Sequence, residues 1–118
     1  MLFQSPIGRF AVFAALAAPA ASYPLHTVVA APPAKVQRVA IQNFAFSPQA
    51  IVVAPGTTVT WINADDDPHT VTATAKSFHS AAMDTADSYS FTFAKPGEYA
   101  YFCSLHPHMT GKVVVKGG

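Results

Sequence analysis

From Val36 onward, apolar and polar positions alternate in short runs, and turn-forming residues cut those runs at close intervals. A period of two places successive side chains on opposite faces of a strand. The pattern predicts strands over 36–43, 50–54, 57–63, 70–74, 88–94, 97–103 and 112–116. Between them fall Ser47-Pro48, Pro55-Gly56, the run from Asp65 to Pro68, a polar stretch around Asp84 and Asp87, and Pro96-Gly97. Pro and Gly set dihedrals that strands do not use, so these are turns. Short strands at this spacing, with no long helical period, predict an antiparallel sandwich or barrel. The stretch 76–85 fits no strand pattern and is read as a short helix or an irregular crossover.

The alternation also assigns faces. Val59, Trp61 and Asn63 share one face of their strand, and Tyr99, Tyr101 and Cys103 share one face of theirs; Phe91 and Phe93 form a third inward pair. Asn63 and Cys103 therefore stand at strand ends, in line with core aromatics. A buried amide without partners is costly, and an ionised thiol in an apolar place is worse. Both need something to bond. The plain alternative for Cys103 is a small buried hydrophobe, the usual role of a lone cysteine.

Residues 1–35 follow another rule. A short head carrying Arg9 precedes an apolar run from Phe10 to Ala18, and small residues follow in Ala18-Pro19-Ala20-Ala21. This order predicts a secretory signal peptide over 1–21, with cleavage as late as residue 30 also fitting the small-residue rule. The apolar run is shorter than the roughly 20 residues a membrane helix needs, so no span is expected once the signal is removed. Residues 22–35, rich in Ala and Pro, are read as a flexible leader. Residues 36–118 form the single domain.

Composition narrows the partners. Seven Lys and Arg stand against six Asp and Glu, and setting Arg9 aside leaves six against six. Such balance offers no basic patch to offset phosphate charge, which argues against nucleic acid. With one cysteine, no intramolecular disulfide forms. In a chain bound for the periplasm or the exterior, a bare thiol is a liability, so Cys103 is expected to be occupied.

The occupant is suggested by Cys103-Ser104-Leu105-His106-Pro107-His108-Met109. A thiol, an imidazole and a thioether recur at intervals of three residues, and His69, after Asp67-Pro68, offers a second imidazole from another strand–loop junction. Two His, one Cys and a weak axial Met make a trigonal copper site. Structural zinc sites are normally closed by four strong N or S ligands, and methionine is not one of them. A nucleophilic Cys–His pair lacks an evident oxyanion device. His108 competes with His106, but it adjoins Met109 and would have to share its arc, so His106 is preferred. His26 and His79 are read as surface residues.

These residues resemble the cupredoxin, or blue copper, family, and its amicyanin-like branch most closely. The resemblance runs from about Val39 to Lys116. It is carried by Phe46-Ser47-Pro48, Val59-Thr60-Trp61-Ile62-Asn63, Pro68-His69, Gly97 to Cys103, and the Cys-x2-His-x2-Met loop that leads into Gly111-Lys112-Val113-Val114-Val115. It implies an all-β Greek-key sandwich of seven to eight strands. It also implies one type 1 copper ion held by His69, Cys103, His106 and, axially, Met109, with Asn63 tying the ligand loops together behind them. By the same resemblance the protein is a monomeric periplasmic carrier cycling Cu(II)/Cu(I) between redox proteins such as a cytochrome or a dehydrogenase, and it is not an enzyme. The alternative is a copper-delivery protein, in which Met83, His79 and His108 provide an exchangeable site. The sequence departs from the branch at His108 and at Asp65-Asp66-Asp67, a run that is either a solvated turn or a device for steering a basic partner.

Overall fold

The computed structural model describes residues 35–117; the segments read from sequence as a signal peptide and, nearly entirely, as a leader lie outside the described residues. Eight strands follow one another: β1 (Val36–Gln42), β2 (Ala45–Ser47), β3 (Ala50–Val53), β4 (Thr57–Asn63), β5 (Thr72–Ala73), β6 (Ser88–Phe93), β7 (Gly97–Cys103) and β8 (His106–Val115). They form two four-stranded sheets, ordered β2-β1-β4-β6 and β3-β8-β7-β5. Among the described residues no helix is long and apolar enough to cross a membrane.

The sheets are mixed, where the spacing of the strands suggested antiparallel ones. β1 pairs parallel with β4, from Val36↔Thr58 to Ile41↔Asn63, and β3 pairs parallel with β8. The remaining pairs are antiparallel. Alternation records which face a side chain takes and carries no information on strand direction. The direction follows from the chain passing to the second sheet for β3 before returning as β4. The 76–85 stretch contains no helix; it runs as an irregular crossover, tied by isolated bridges between His69 and Met83 and between Thr72 and His79.

The inner faces meet in an aromatic core. Along β4 every second residue is buried, from Thr57 to Asn63, as the alternation required. Trp61 packs edge-on against Tyr101 with ring centres 5.4 Å apart and stacks on Phe78 at 5.9 Å, while Phe46 meets Tyr101 at 4.7 Å. Such pairs contribute about 0.5–1.5 kcal/mol each beyond the area they bury. Phe93 is buried, while Phe91 is half-buried and packs against it at 4.9 Å.

Two hairpins carry the core to one end of the sandwich. In the first, Gln42 pairs with Ala45, so Asn43 and Phe44 form a two-residue turn, with φ of 53° and 55°. Turns of this kind favour Asn followed by Gly; a side chain in the left-handed region costs about 1–2 kcal/mol. In the second, Cys103 pairs with His106 across Ser104-Leu105, and the next pair is Phe102↔Thr110. Pro107, His108 and Met109 therefore form a three-residue bulge on β8. The last strand begins at His106 and not near residue 112, because the turn after Cys103 reverses the chain at once.

Candidate metal centre

Four side chains at this end descend from one hairpin, β7–β8, and the loop that follows β4. Cys103 closes β7 in phase with Tyr101 and is fully buried. His106 opens β8 and is half-buried, and Met109 returns from the bulge to a buried position, 5% exposed. His69 follows β4 by way of the loop 64–68 and is completely buried. Nδ1 of His69 and Nδ1 of His106 each lie 3.7 Å from Cys103 Sγ. One ligand atom from each of these three residues falls within 4.8 Å of the others. A thiol and two imidazole nitrogens facing one point suit a soft or borderline metal ion.

The His69 ring is fixed from behind. Its Nε2 lies 2.9 Å from Asp65 Oδ2. Nε2–H donating to a carboxylate leaves the Nδ1 lone pair free, and Nδ1 is the atom facing Cys103. Asp65 also accepts from the backbone N–H of Asn43 at 2.7 Å and of Phe44 at 2.9 Å. Burial pushes the Asp65 carboxyl up, but the N–H groups of Phe44 and Asn43, together with His69, outweigh it and hold the group below the ordinary 3.8. A depressed carboxylate contributes stability above its unfolded pKa, and that contribution is lost as pH falls through the folded value. The metal-free protein should therefore weaken on acidification below about pH 4, and Asp65→Asn should flatten that limb. Urea midpoints measured from acid to neutral pH check this; two parallel limbs would count against it.

Asn63 is fully buried and bonded on both ends of its amide. Nδ2 donates to the carbonyls of Asp67 and Met83, both at 2.9 Å, and Oδ1 accepts from Asp65 N–H at 2.9 Å. These bonds close the loop that carries His69 and tie it to the crossover. The link between the two ligand loops is made by a different residue, Thr70. Its N–H donates to Cys103 Sγ at 3.3 Å, and its Oγ1 accepts from Ser104 N–H at 2.8 Å.

The aspartate run divides. Asp65 turns inward onto His69, while Asp66 and Asp67 are exposed. His108 is exposed and lines, with Phe44 and Met109, a cleft of about 160 Å³. The residues considered for an exchangeable site lie apart in kind: His79 is exposed, and Met83 is buried at 4% in the core cluster. Sequence reasoning missed the roles of Asp65, Thr70 and Phe44. The Phe44 ring stands edge-on to both imidazoles, with centres 5.4 Å from His69 and 5.2 Å from His106.

Comparison with known proteins agrees with this geometry. Residues 34–116 match the family described as copper binding proteins, plastocyanin/azurin family. The chain is 33% identical to amicyanin-alpha of Methylorubrum extorquens over 121 residues, which cover 98% of each chain. It is 45% identical to the amicyanin of Paracoccus denitrificans over 69 residues, 54% of this chain and 53% of that one. A solved Cu(I) form of a methionine-to-glutamine variant of amicyanin superposes with a TM-score of 0.66 at 35% identity, covering 69% of this chain and 82% of the other. The chain belongs to the plastocyanin/azurin family of copper-binding proteins, on its amicyanin-like branch.

Proposed function

We propose that the protein is a blue-copper electron carrier whose single type 1 ion is held by His69, Cys103, His106 and, weakly, Met109. The observation that carries this reading is the placement of two imidazole Nδ1 atoms at equal distance, 3.7 Å, from one buried thiol. Bound there, copper would supply a one-electron Cu(II)/Cu(I) couple. The soft sulfurs suit Cu(I) and the imidazoles keep Cu(II) acceptable.

The chain's own work is to hold the donors still. Asp65 sets the tautomer and angle of the His69 ring, and Asn63 fixes the loop beneath it. The Thr70 N–H draws electron density from Cys103 Sγ, and hydrogen bonding around that sulfur is one of the means by which such centres are tuned. Burial of Cys103 and His69 keeps water from both. Electrons would pass through the half-buried edge at His106, the most accessible of the four donors.

The protein acts in the periplasm as a monomer and exchanges electrons with a redox protein, a cytochrome or a dehydrogenase, through a small and short-lived interface. What supports this is the signal-like sequence of residues 1–21 and the likeness to amicyanins.

The test is spectroscopic. Full-length protein given Cu(II) should develop an intense visible thiolate-to-copper band that is absent from Cys103→Ser. A carrier should also keep its copper through repeated reduction and oxidation beside a competing chelator; steady loss on reduction would mark a delivery protein instead. A colourless protein that takes up zinc equally well would overturn the assignment.

A further inference from the structure

Phe44 stands where the backbone does not favour it. It fills the second place of a two-residue hairpin turn at φ 55°, directly after Asn43 at 53°. That place suits glycine, and a bulky residue there is an outlier. Strain retained in a folded chain directs attention to what the side chain does. The ring is 49% exposed, so filling the core does not account for it.

Its aromatic contacts are with the two imidazoles. The ring edge meets His69 at an interplanar angle of 86° and His106 at 79°. The turn is also anchored to the site, because the N–H groups of Asn43 and Phe44 donate to the same Asp65 carboxylate that holds His69. The position of the ring is thus referenced to the buried imidazole.

The two imidazoles are not held equally. His69 is buried and bonded at Nε2, whereas His106 is half-buried and its Nε2 has no hydrogen-bond partner among the described residues. What flanks the His106 ring is the His69 ring, 4.9 Å away, and Phe44. We infer that Phe44 is a positioning residue that clamps the His106 imidazole against His69 and keeps its Nδ1 turned toward the Cys103 sulfur. The inference rests on the metal-centre reading above, but the clamp acts on the polypeptide whether or not metal is present. A ring so held has little freedom to leave the metal when the ion's charge falls, so the clamp should slow copper loss from the reduced state.

Full-length Phe44→Ala, Phe44→Gly and Phe44→Tyr proteins separate ring from backbone. In the metal-free Ala and Gly variants, NMR should show the His106 ring averaging between rotamers and losing its NOEs to the Cys103 β-protons. His69, still held by Asp65, should keep its own. Loaded with Cu(I), both variants should pass the metal to bicinchoninate about tenfold faster than the parent, or more, the scale on which support around a metal site acts. Phe44→Tyr should match the parent in both measurements. The Gly variant also relieves the turn, so it should melt no lower than the Ala variant. Three outcomes overturn the clamp: a His106 ring that stays ordered with copper release unchanged, disorder in Ala but not in Gly, or equal loosening of both histidines. Failure of the copper reading would look different, as a parent protein with no visible band in which His106 order still depends on Phe44.

Discussion

Asn63→Ala is expected to cost the metal-free protein about 3 kcal/mol. The wild-type amide makes three hydrogen bonds, each about 1 kcal/mol net in a folded protein, and its removal strands partners that must stay near where they are. The carbonyls of Asp67 and Met83 lose the Nδ2 donor, and the Asp65 N–H loses Oδ1. Some of this is recoverable, since Asp67 is exposed and water can reach the loop. The side chain itself is wholly buried, however, and leaves a hole beneath His69. At about 4–8 °C per kcal/mol for a domain of this size, the melting temperature should fall by roughly 15 °C. The loop that Asn63 closes carries both Asp65 and His69, so copper affinity should fall with stability. Calorimetry of the metal-free variant and a copper titration check the two halves. A melting temperature within a degree or two of wild type would mean that the bonds are individually dispensable and that the loop is held elsewhere.

What the sequence made legible depended on how local each feature is. β4 and β7 were read from end to end, because each is a clean alternation that follows a Pro-Gly turn. The short β2 was missed: its turn is Asn43-Phe44, and a phenylalanine in glycine's place gives no turn signal. β8 was begun six residues late, because Pro107 argues against a strand and only the Cys103↔His106 pair reveals the tight reversal. The predicted strand at 70–74 is cut to β5 at Thr72–Ala73, since only those two residues pair in ladder register with β7, opposite Phe102 and Tyr101. Among the donors, Cys103, His106 and Met109 lie close in sequence, and their spacing alone proposed a site. Their supports come from afar. Asp65 reaches back 22 residues to Asn43, and Thr70 reaches forward 33 to Cys103. Nothing in an Asp-Asp-Asp run distinguishes the member that turns inward from the two that stay in solvent. That choice is made by the β1–β2 hairpin tip, whose two N–H groups need an acceptor where the loop after β4 passes.

Gly111→Ala should be the most damaging single-methyl change in the domain. Gly111 pairs across the strands with Tyr101, whose ring lies over it; a Cβ built at 111 would stand 2.7 Å from Tyr101 Cε2 and nearer still to Cζ and the hydroxyl. The ring has little room to retreat. It is 1% exposed and enclosed by Phe46, Trp61 and Phe78. Burial also pushes its hydroxyl up to about 12, although Trp61 Nε1, which finds no hydrogen-bond partner among the described residues, lies near enough to offset part of that rise. Overpacking of a filled core costs about 1–3 kcal/mol, and a contact this close, backed by edge-on and tilted rings, belongs at the top of that range. The urea midpoint should fall accordingly. The cause is testable in a Tyr101→Leu background, where the obstructing atoms are gone: adding Gly111→Ala there should cost little more than Tyr101→Leu alone, since residues in contact do not act additively. An equal penalty in both backgrounds would place the difficulty in the β8 backbone and not in the ring. Copper uptake by the single variant gives a further reading. Tyr101 and Cys103 lie on one face of β7, two residues apart, so a ring pushed off Gly111 should disturb the thiol before it disturbs His69, which is secured from the opposite side by Asp65.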